Sequence, residues 1–158
     1  MKSICFYSSY FTQDYVPYYV KFYLEELEKY FTDIIFLTNE KQLKETELAY
    51  LKQHNITLKY VSNEGFDFGM WYKAFKEYKP LDYDRLGLIN DSCVLFKPLA
   101  DTFNWVNNNN ADYCGLVSSK SVSWHIQSYF IIINKNAIKP VYDYFMENGL
   151  INAYKQVI

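Results

Sequence analysis

The stretch from residue 85 to residue 96 reads Arg85-Leu86-Gly87-Leu88-Ile89-Asn90-Asp91-Ser92-Cys93-Val94-Leu95-Phe96. Its first apolar run, 86–89, is short, continuous and bounded by polar residues, which is typical of a buried strand. Asp91 follows that run, and open α/β sheets bind ligands at the carboxyl ends of their strands. A carboxylate at this point can hold a divalent cation or accept hydrogen bonds from hydroxyl groups. The alternative is that Asn90-Asp91-Ser92 forms only a turn, because all three residue types are common in turns.

Short apolar strands and helical patterns alternate along the first part of the chain. Strands are predicted at 3–7, 33–38, 56–61 and 85–89, and helices at 13–31, 40–53 and 70–78, with Asp14 and Asn39 as helix N-caps. Strands that alternate with helices favour right-handed βαβ units. We therefore expect an α/β fold of the Rossmann-like type, in which helices cover both faces of a mostly parallel sheet.

The regular alternation of strands and helices ends after residue 90. A short strand at 93–96 and a helix at 99–106 precede a run of four asparagines, 107–110, that predicts a loop. Further strands are expected at 112–117 and 128–134, and a last helix at 137–146 with Gly149 as its C-terminal stop. We find no internal repeat and no linker, so residues 1–158 are predicted to form one domain.

The composition narrows the class of protein. Half of the 158 residues are hydrophobic and 20% are aromatic, which is too apolar for a disordered chain. A net charge of −2 gives no basic footprint for nucleic acid. No apolar run reaches the ~18 residues of a membrane span, and residues 1–6 lead into a strand without a signal-peptide core. Cys5, Cys93 and Cys114 are odd in number and each lies in an apolar run, which predicts buried, reduced thiols in a cytoplasmic protein.

A second polar cluster, residues 63–69, follows the predicted strand at 56–61 and reads Asn-Glu-Gly-Phe-Asp-Phe-Gly. Gly65 and Gly69 allow backbone N–H groups to approach a ligand closely, and the Asp67 carboxylate between them accepts hydrogen bonds from hydroxyl groups. The spacing matches neither the dinucleotide-binding fingerprint nor a P-loop, which carries a lysine. The structural alternative is a glycine-rich turn at 65–69 that enters a helix with Asp67 near its N-cap.

A third polar cluster, Ser123-Trp124-His125-Ile126-Gln127-Ser128, precedes the last predicted strand. His125 can serve as a base, a metal ligand or a partner of a phosphate group, or it can be a structural residue. Trp124 can present a flat ring to a sugar or a base, or pack in the core. The sequence has no nucleophile elbow, paired Cys-x-x-Cys or His-Glu-x-x-His motif, so Asp67, Asp91 and His125 are the candidate reactive groups.

Together, these segments resemble the rhamnan synthesis protein F family of glycosyltransferases. The matching segments, in chain order, are the opening strand and helix (4–27), Asn63-Glu64-Gly65 with Asp67 and Gly69, residues 88–92, residues 112–116, and residues 125–130. The Asn-Asp-Ser and His-x-Gln-Ser-Tyr-Phe segments are the more specific of them. The resemblance covers most of the chain and implies a GT-A-like fold, the Rossmann-like sheet of nucleotide-diphospho-sugar transferases.

The resemblance also implies an activity and its partners. Such an enzyme transfers a sugar, rhamnose among others, from a nucleotide-sugar donor to a glycan or lipid-linked acceptor of a growing cell-surface polysaccharide or lipopolysaccharide. It would act in the cytoplasm, in peripheral contact with the inner face of the cell membrane and without a transmembrane segment. Asp91 falls where GT-A enzymes hold Mn²⁺ or Mg²⁺, which bridges the donor phosphates.

The same resemblance assigns roles to individual residues. Asp67 and His125 would be the catalytic groups, and Asp91 the metal ligand. Donor and acceptor would be bound by residues from the three polar clusters and from the end of the first strand: Ser8, Asn63, Gly65, Asp67, Gly69, Asn90, Ser92, Trp124 and Gln127. We expect Ser8, Asp67, Asp91 and His125 to border one cleft at the carboxyl edge of the sheet.

Two departures from the family pattern matter, and the second of them, together with the length of the chain, suggests a second hypothesis. Phe66 stands where family members commonly have an arginine, so a cation that would offset the diphosphate charge is missing there. Asn90-Asp91-Ser92 offers one carboxylate instead of two. The chain is also short for a catalytic domain of this fold. The second hypothesis is therefore a non-catalytic module that binds a nucleotide sugar or a glycan without turnover.

Overall fold

The computed structural model describes residues 1–39, 42–109, 111–121 and 123–150. Its helices are α1 (Tyr18–Leu27), α2 (Glu45–Gln53), α3 (Phe66–Tyr78), α4 (Ala100–Asn108) and α5 (Lys135–Asn148). Its strands are β1 (Ser3–Ser9), β2 (Asp33–Thr38), β3 (Ile56–Tyr60), β4 (Arg85–Asn90), β5 (Tyr113–Gly115), β6 (Ser118–Ser119), β7 (His125–Ile126) and β8 (Phe130–Asn134). A single 3-10 turn, Pro80–Asp82, lies between α3 and β4.

Six strands form one sheet in the order β3-β2-β1-β4-β8-β5, with β1 and β4 at its centre. β1 pairs in parallel with both β2 and β4, and β2 pairs in parallel with β3. β8 runs antiparallel to β4, and β5 runs antiparallel to β8. β6 and β7 form a separate two-stranded antiparallel ribbon. The prediction of an α/β fold with a mostly parallel sheet is therefore confirmed.

Helices cover both faces of the sheet. Successive strand residues point to opposite faces, so each buried strand contributes side chains to both of the clusters that the helices cover. One face carries α1, α2 and α4, and its buried cluster includes Cys5, Tyr7, Leu24, Leu51 and Phe103. The other face carries α3 and α5, and its buried cluster includes Ile4, Phe6, Trp71, Phe75 and Phe145. Since both faces are covered, the ends of the strands are the part of the sheet that a ligand can reach.

The first helix begins later than its periodicity predicts. The pattern predicts a helix at 13–31 with Asp14 as N-cap, whereas α1 begins at Tyr18 and Pro17 occupies the N-cap position. A residue that precedes proline avoids the helical conformation, so the helix cannot extend back through Val16. Asp14 instead forms an ion pair with Lys44, with 3.0 Å between Oδ1 and Nζ.

The second helix also begins later, at Glu45, and Lys44 is its N-cap. Residues 40 and 41 of the predicted helix lie outside the described residues. Asn39 does not cap this helix, because its side-chain oxygen accepts a hydrogen bond from the N–H of Phe11 at 3.3 Å. This bond ties the end of β2 to the segment that follows β1.

The predicted strand at 93–96 is irregular in the structure. β4 already has β1 and β8 as neighbours, so the run that follows it cannot pair with β4. Val94 and Phe96 are 61% and 87% exposed. Cys93 is exposed too, whereas Cys5 and Cys114 are buried. The prediction of three buried thiols is therefore wrong for Cys93, because it depended on this strand.

Smaller differences follow in the last third of the chain. α4 includes Asn107 and Asn108, which the asparagine run predicts as loop, and residue 110 lies outside the described residues. Of the predicted strand at 112–117 only Tyr113–Gly115, β5, is a strand, β6 begins beyond it at Ser118, and the strand predicted at 128–134 begins only at Phe130. Gly149 follows α5 with a φ of 62°, as expected for a C-terminal stop.

None of the helices in the described part of the chain has the length and apolarity that a membrane crossing requires. The single domain over 1–158 stays a prediction.

Arg85, the first residue of β4, connects three elements from a buried position. It is 5% exposed, and its Nε donates to Asn134 Oδ1 of β8 at 3.1 Å. A second guanidinium nitrogen donates to Asn107 Oδ1 of α4 at 2.9 Å. The guanidinium also faces the Phe103 ring, 5.9 Å from its centroid.

Arg85→Leu should destabilise the protein by about 1–2 kcal/mol, because the half-buried Asn134 amide loses its donor. Urea unfolding would measure the change. Arg85→Lys should recover little of it, since an ammonium group cannot reproduce the planar fork that reaches two amides. The control is Lys97→Leu, which removes an exposed cation from a 3.8 Å ion pair with Asp101. An unchanged urea midpoint for Arg85→Leu would contradict this role.

Candidate functional site

β1 ends with two buried serines that hold the two predicted aspartates. Ser8 Oγ donates to Asp67 Oδ1 at 3.0 Å. Ser9 Oγ donates to Asp91 Oδ2 at 2.5 Å. Consecutive strand residues point to opposite faces, so the end of one strand can anchor groups that arrive from two elements. Both serines are fully buried, and these bonds satisfy hydroxyl groups that would otherwise be costly to bury.

Asp67 lies in the first turn of α3. The helix predicted at 70–78 begins earlier, at Phe66, with Gly65, whose φ is 79°, as its N-cap, so the structural alternative of a turn that enters a helix near Asp67 describes this segment. Asn90 Nδ2 donates to Asp67 Oδ2 at 2.7 Å, so together with the bond from Ser8 both carboxylate oxygens accept hydrogen bonds. A carboxylate in the first turn also interacts favourably with the helix dipole.

The loop before α3 is packed directly on the helix. A Cβ atom at Gly69 would stand 1.9 Å from the carbonyl oxygen of Glu64, so only glycine allows this approach. The carbonyl oxygen of Asn63 accepts a hydrogen bond from the Phe66 N–H at 3.2 Å. Asn63, Gly65 and Gly69, predicted as substrate-binding residues, thus shape the loop that presents Asp67.

Asn90-Asp91-Ser92 is a turn, and the same turn brings Asp91 to the edge of the sheet. Asn90 is fully buried, and its Oδ1 accepts a hydrogen bond from the Ser92 N–H at 3.0 Å. The Tyr19 hydroxyl of α1 lies close enough to Asp91 to lower the pKa of that carboxyl group. Asn90 therefore connects the Asp67 carboxylate, through its amide nitrogen, to the Asp91 turn, through its amide oxygen.

Burial raises the pKa of both aspartates. Hydrogen bonds from Ser8 and Asn90 partly offset this effect at Asp67. At Asp91 the hydrogen bond from Ser9 lowers the pKa, whereas the negative charge of Asp67 raises it further, so the two carboxylates are close enough to interact. In the part of the chain that the structure describes, the ion pairs involve neither aspartate. A cation bound here would relieve this concentration of negative charge.

These residues fit a divalent cation that is held largely by its own ligand. Within the described ranges, no three His, Cys, Asp or Glu residues converge, so a cage made of protein groups is absent there. Mg²⁺ commonly takes one or two carboxylates and completes its coordination shell with waters and substrate phosphates. Asp91 has about four lone-pair sites and uses one of them for the Ser9 hydroxyl, which leaves it able to bind a metal ion.

The raised pKa of Asp91 predicts a pH-dependent stability. Its stabilising contribution is complete below the ordinary aspartate pKa of 3.8 and is lost as the pH rises through the raised folded pKa. Asp91→Asn removes that loss, so the variant should melt above the wild type at pH 7, and the difference should narrow toward pH 4. Melting temperatures of both proteins from pH 4 to 8 would test this. A constant difference across that range would contradict it.

His125 lies in β7, opposite Ser119 of β6. Its Nδ1 is 2.9 Å from the carbonyl oxygen of Ser123. Because a carbonyl oxygen only accepts, Nδ1 is the donor, and in the neutral imidazole Nε2 is then the acceptor. Trp124, beside it, is 65% exposed, so its ring is not a core residue. The N–H of Gln127 donates to Val117 and extends the ribbon by one bond.

The segment after this ribbon adjoins the aspartates through its main chain. Asn90 Nδ2 approaches the carbonyl oxygen of Ser128 at 3.5 Å, and the Asn90 N–H donates to Tyr129 at 3.2 Å. The structure thus brings together Ser8, Asp67, Asn90 and Asp91. The hydrogen bonds described for His125 reach neither aspartate, so its place in the same cleft stays a prediction.

Sequence patterns miss two residues that contact Asp91. Ser9 lies beyond the predicted end of the first strand, and Tyr19 belongs to the apolar stripe of the first predicted helix. The signal for Ser9 is the polar pair that ends an otherwise apolar strand. Tyr7, on the same strand, has a fully buried hydroxyl without a hydrogen-bond partner in the described residues. Burial, and next the charge of Asp91, raise its pKa.

A surface pocket of about 340 Å³ opens elsewhere, between α4 and β5. Trp105, Leu116 and Phe130 line it, and none of the predicted site residues does. Concave shape alone therefore does not mark the candidate site. The hydrogen-bonded carboxylates at the ends of β1 and β4 mark it.

The fold and this site define an α/β protein with acidic groups at the carboxyl edge of a mostly parallel sheet, where such sheets bind ligands. The family model of rhamnan synthesis protein F matches residues 34–158. The chain belongs to the rhamnan synthesis protein F family, as its motifs predict. No curated protein matches the chain.

A solved structure has a similar fold. It is a cytidylyltransferase from Leptospira borgpetersenii serovar Hardjo-bovis (strain JB197), with a TM-score of 0.51 and 14% sequence identity. The match covers 90% of this chain and 64% of that chain, so this chain spans less than two thirds of its neighbour's length. At this identity the likeness concerns the fold alone.

Proposed function

We propose that this protein is a glycosyltransferase that moves a sugar, with rhamnose as one candidate, from a nucleotide-sugar donor to a glycan or lipid-linked acceptor. The observation that supports this most is the pair of interacting carboxylates, Asp67 and Asp91, joined through Asn90 at the ends of β1 and β4. The family supports the same class of reaction, since it is named for the synthesis of a polysaccharide. A cytoplasmic location at the inner face of the membrane belongs to this proposal.

In the proposed reaction an acceptor hydroxyl attacks C1 of the donor sugar. The bond between C1 and the acceptor oxygen forms, the bond between C1 and the diphosphate oxygen breaks, and the diphosphate leaves with the electron pair. A base takes the hydroxyl proton. The unprotonated Nε2 of His125 suits this role. Asp67 is the second candidate base, although the hydrogen bonds that both its oxygens accept suit it better to holding Asn90 in place.

Asp91 would be the protein ligand of Mn²⁺ or Mg²⁺. When bound, the cation would offset the charge of the departing diphosphate. Ser8, Asn63, Gly65, Gly69, Asn90 and Ser92 would form the donor side around the two aspartates. Trp124 and Gln127, in the segment that contains His125, would form the acceptor side.

The second candidate function is a binding module without turnover. It is favoured by the single carboxylate of the Asn90-Asp91-Ser92 turn, and by the lack of a third metal-binding side chain near it among the described residues. Both functions predict that a nucleotide sugar stabilises the folded protein. Only the enzyme predicts that the donor is consumed.

A panel of nucleotide sugars, each with and without Mn²⁺, would test the proposal. A ligand that binds only the folded state raises the melting temperature by mass action. The donor that gives the largest shift would then be incubated with the protein, and the released nucleoside diphosphate would be measured. Release of the nucleotide supports a transferase. A shift without release supports the binding module, and no shift for any donor would contradict both.

A further inference from the structure

Phe66 is a large apolar side chain that is held in solvent beside the candidate site. It is the first residue of α3, precedes Asp67, and is 65% exposed. Its φ of 53° lies in the left-handed region, which bulky residues rarely adopt. Phe68 is also exposed, at 52%, but its ring stacks on Phe145 at 6.0 Å and meets Trp71 at 5.2 Å. Contacts with these two buried rings account for the position of Phe68, whereas no ring contact among the described residues accounts for that of Phe66.

The backbone that carries Phe66 is firmly supported. Lys73 Nζ donates to both the carbonyl oxygen and the Oγ of Ser62, each at 2.7 Å. The Gly69 N–H donates to the carbonyl oxygen of Gly65 at 2.9 Å, and the preceding backbone lies against Gly69. A ring mounted on such a loop is presented in a defined orientation, so a ligand would not have to order the loop before binding.

Phe66 is followed in the chain by a residue whose side chain is also fixed. Asp67 follows Phe66 directly and is bonded to Ser8 and Asn90. An apolar ring beside fixed polar groups suits a ligand that has both a flat face and polar substituents. A nucleobase has two such faces, and bases of every type stack on aromatic side chains. A sugar ring can also lay its C–H face on an aromatic ring, so a sugar 1-phosphate is titrated beside the nucleotides in the test below.

We propose that Phe66 is the stacking platform for the nucleobase of the donor. This inference rests on the proposed function and deepens it, because it names the part of the donor that the start of α3 binds. The carboxylate turn around Asp91 then lies toward the diphosphate.

The test is the binding of nucleoside diphosphates to the full chain, measured by titration calorimetry with UDP, GDP and dTDP, and with a sugar 1-phosphate beside them, in the presence of Mn²⁺. Phe66→Ala should weaken the nucleotide that the wild type prefers by roughly 5- to 150-fold, the range that loss of one base–aromatic stack produces. Phe66→Tyr, which keeps an aromatic face, should retain most of the affinity. Tyr144→Ala is the matched control, because Tyr144 is a similarly exposed aromatic residue on α5.

A further variant separates the ring from the fold. Phe66→Gly removes the ring and also the left-handed strain, so it should be at least as stable as Phe66→Ala and bind nucleotide equally weakly. Equal affinity of wild type and Phe66→Ala for the nucleotide would overturn the inference and leave the proposed function intact. A loss confined to sugar phosphates, with nucleoside diphosphates unaffected, would also overturn it. Failure of the wild type to bind any nucleotide would instead refute the proposed function, and the inference with it.

Discussion

Asp91→Asn should lower donor turnover by roughly 10²-fold or more, which is the effect of losing one preorganised electrostatic contact. The charge that would hold a metal–diphosphate complex disappears, while the shape of the side chain is kept. The described partners of Asp91 are the hydroxyl groups of Ser9 and Tyr19. A hydroxyl group can accept as well as donate, so both can adapt to an amide. The fold should therefore remain.

Two measurements on the same samples decide this prediction: donor turnover with and without Mn²⁺, and the melting temperature. Asp143→Asn is the control, because Asp143 is a carboxylate on α5 whose partner is Lys139 of the same helix. It should leave turnover unchanged. If Asp91→Asn also turned over donor at the wild-type rate, Asp91 would not be a metal ligand, and the binding module would become the leading hypothesis.

The parallel sheet could be predicted from sequence because its signal is local. Three of its four parallel strands are apolar runs bounded by polar residues, β3 alternates apolar and polar residues, and β2 matches its predicted bounds, 33–38. The run at 93–96 has the same local signal and is not a strand. Whether an apolar run pairs depends on whether it can reach a strand with an unpaired side, and both sides of β4, the strand before this run, are already paired. That condition is set by the whole topology and cannot be read from the run itself.

For the candidate site, the sequence predicts where the two aspartates lie along the sheet. Asp67 and Asp91 each follow a strand, so their positions near the carboxyl edge follow from the order of strands and helices. Their hydrogen-bond partners do not. Tyr19 lies near Asp91 because of how α1 packs on the sheet. The helical periodicity places Tyr19 on the apolar face of the helix and does not predict which residue its hydroxyl group approaches. His125 lies in a ribbon outside the main sheet, where strand order gives no guide to its neighbours.

Gly69→Ala should have the largest effect on stability of the substitutions considered. In an ordinary helix this change stabilises, by roughly 0.5–1 kcal/mol, because glycine loses more backbone freedom on folding. Here the new Cβ would stand 1.9 Å from the carbonyl oxygen of Glu64 and 3.0 Å from the Leu150 side chain. The nearer atom belongs to the backbone and cannot rotate away, so we expect a destabilisation of about 3 kcal/mol. For a chain of this size the melting temperature should then fall by roughly 6–12 °C.

Gly65→Ala provides the graded comparison for this effect. Its φ of 79° strains any residue with a side chain, but its closest new contacts are 3.0 Å to the Leu150 side chain and 3.1 Å to the Cα of Gly69. It should cost about 1–2 kcal/mol, the ordinary cost of a left-handed residue, and therefore less than Gly69→Ala. The clash at Gly69 would also move the loop that carries Phe66 and Asp67, so nucleotide binding should weaken together with stability. If Gly69→Ala instead stabilised the protein as in an ordinary helix, the loop before α3 would not lie against that helix. Phe66 would then have no rigid support.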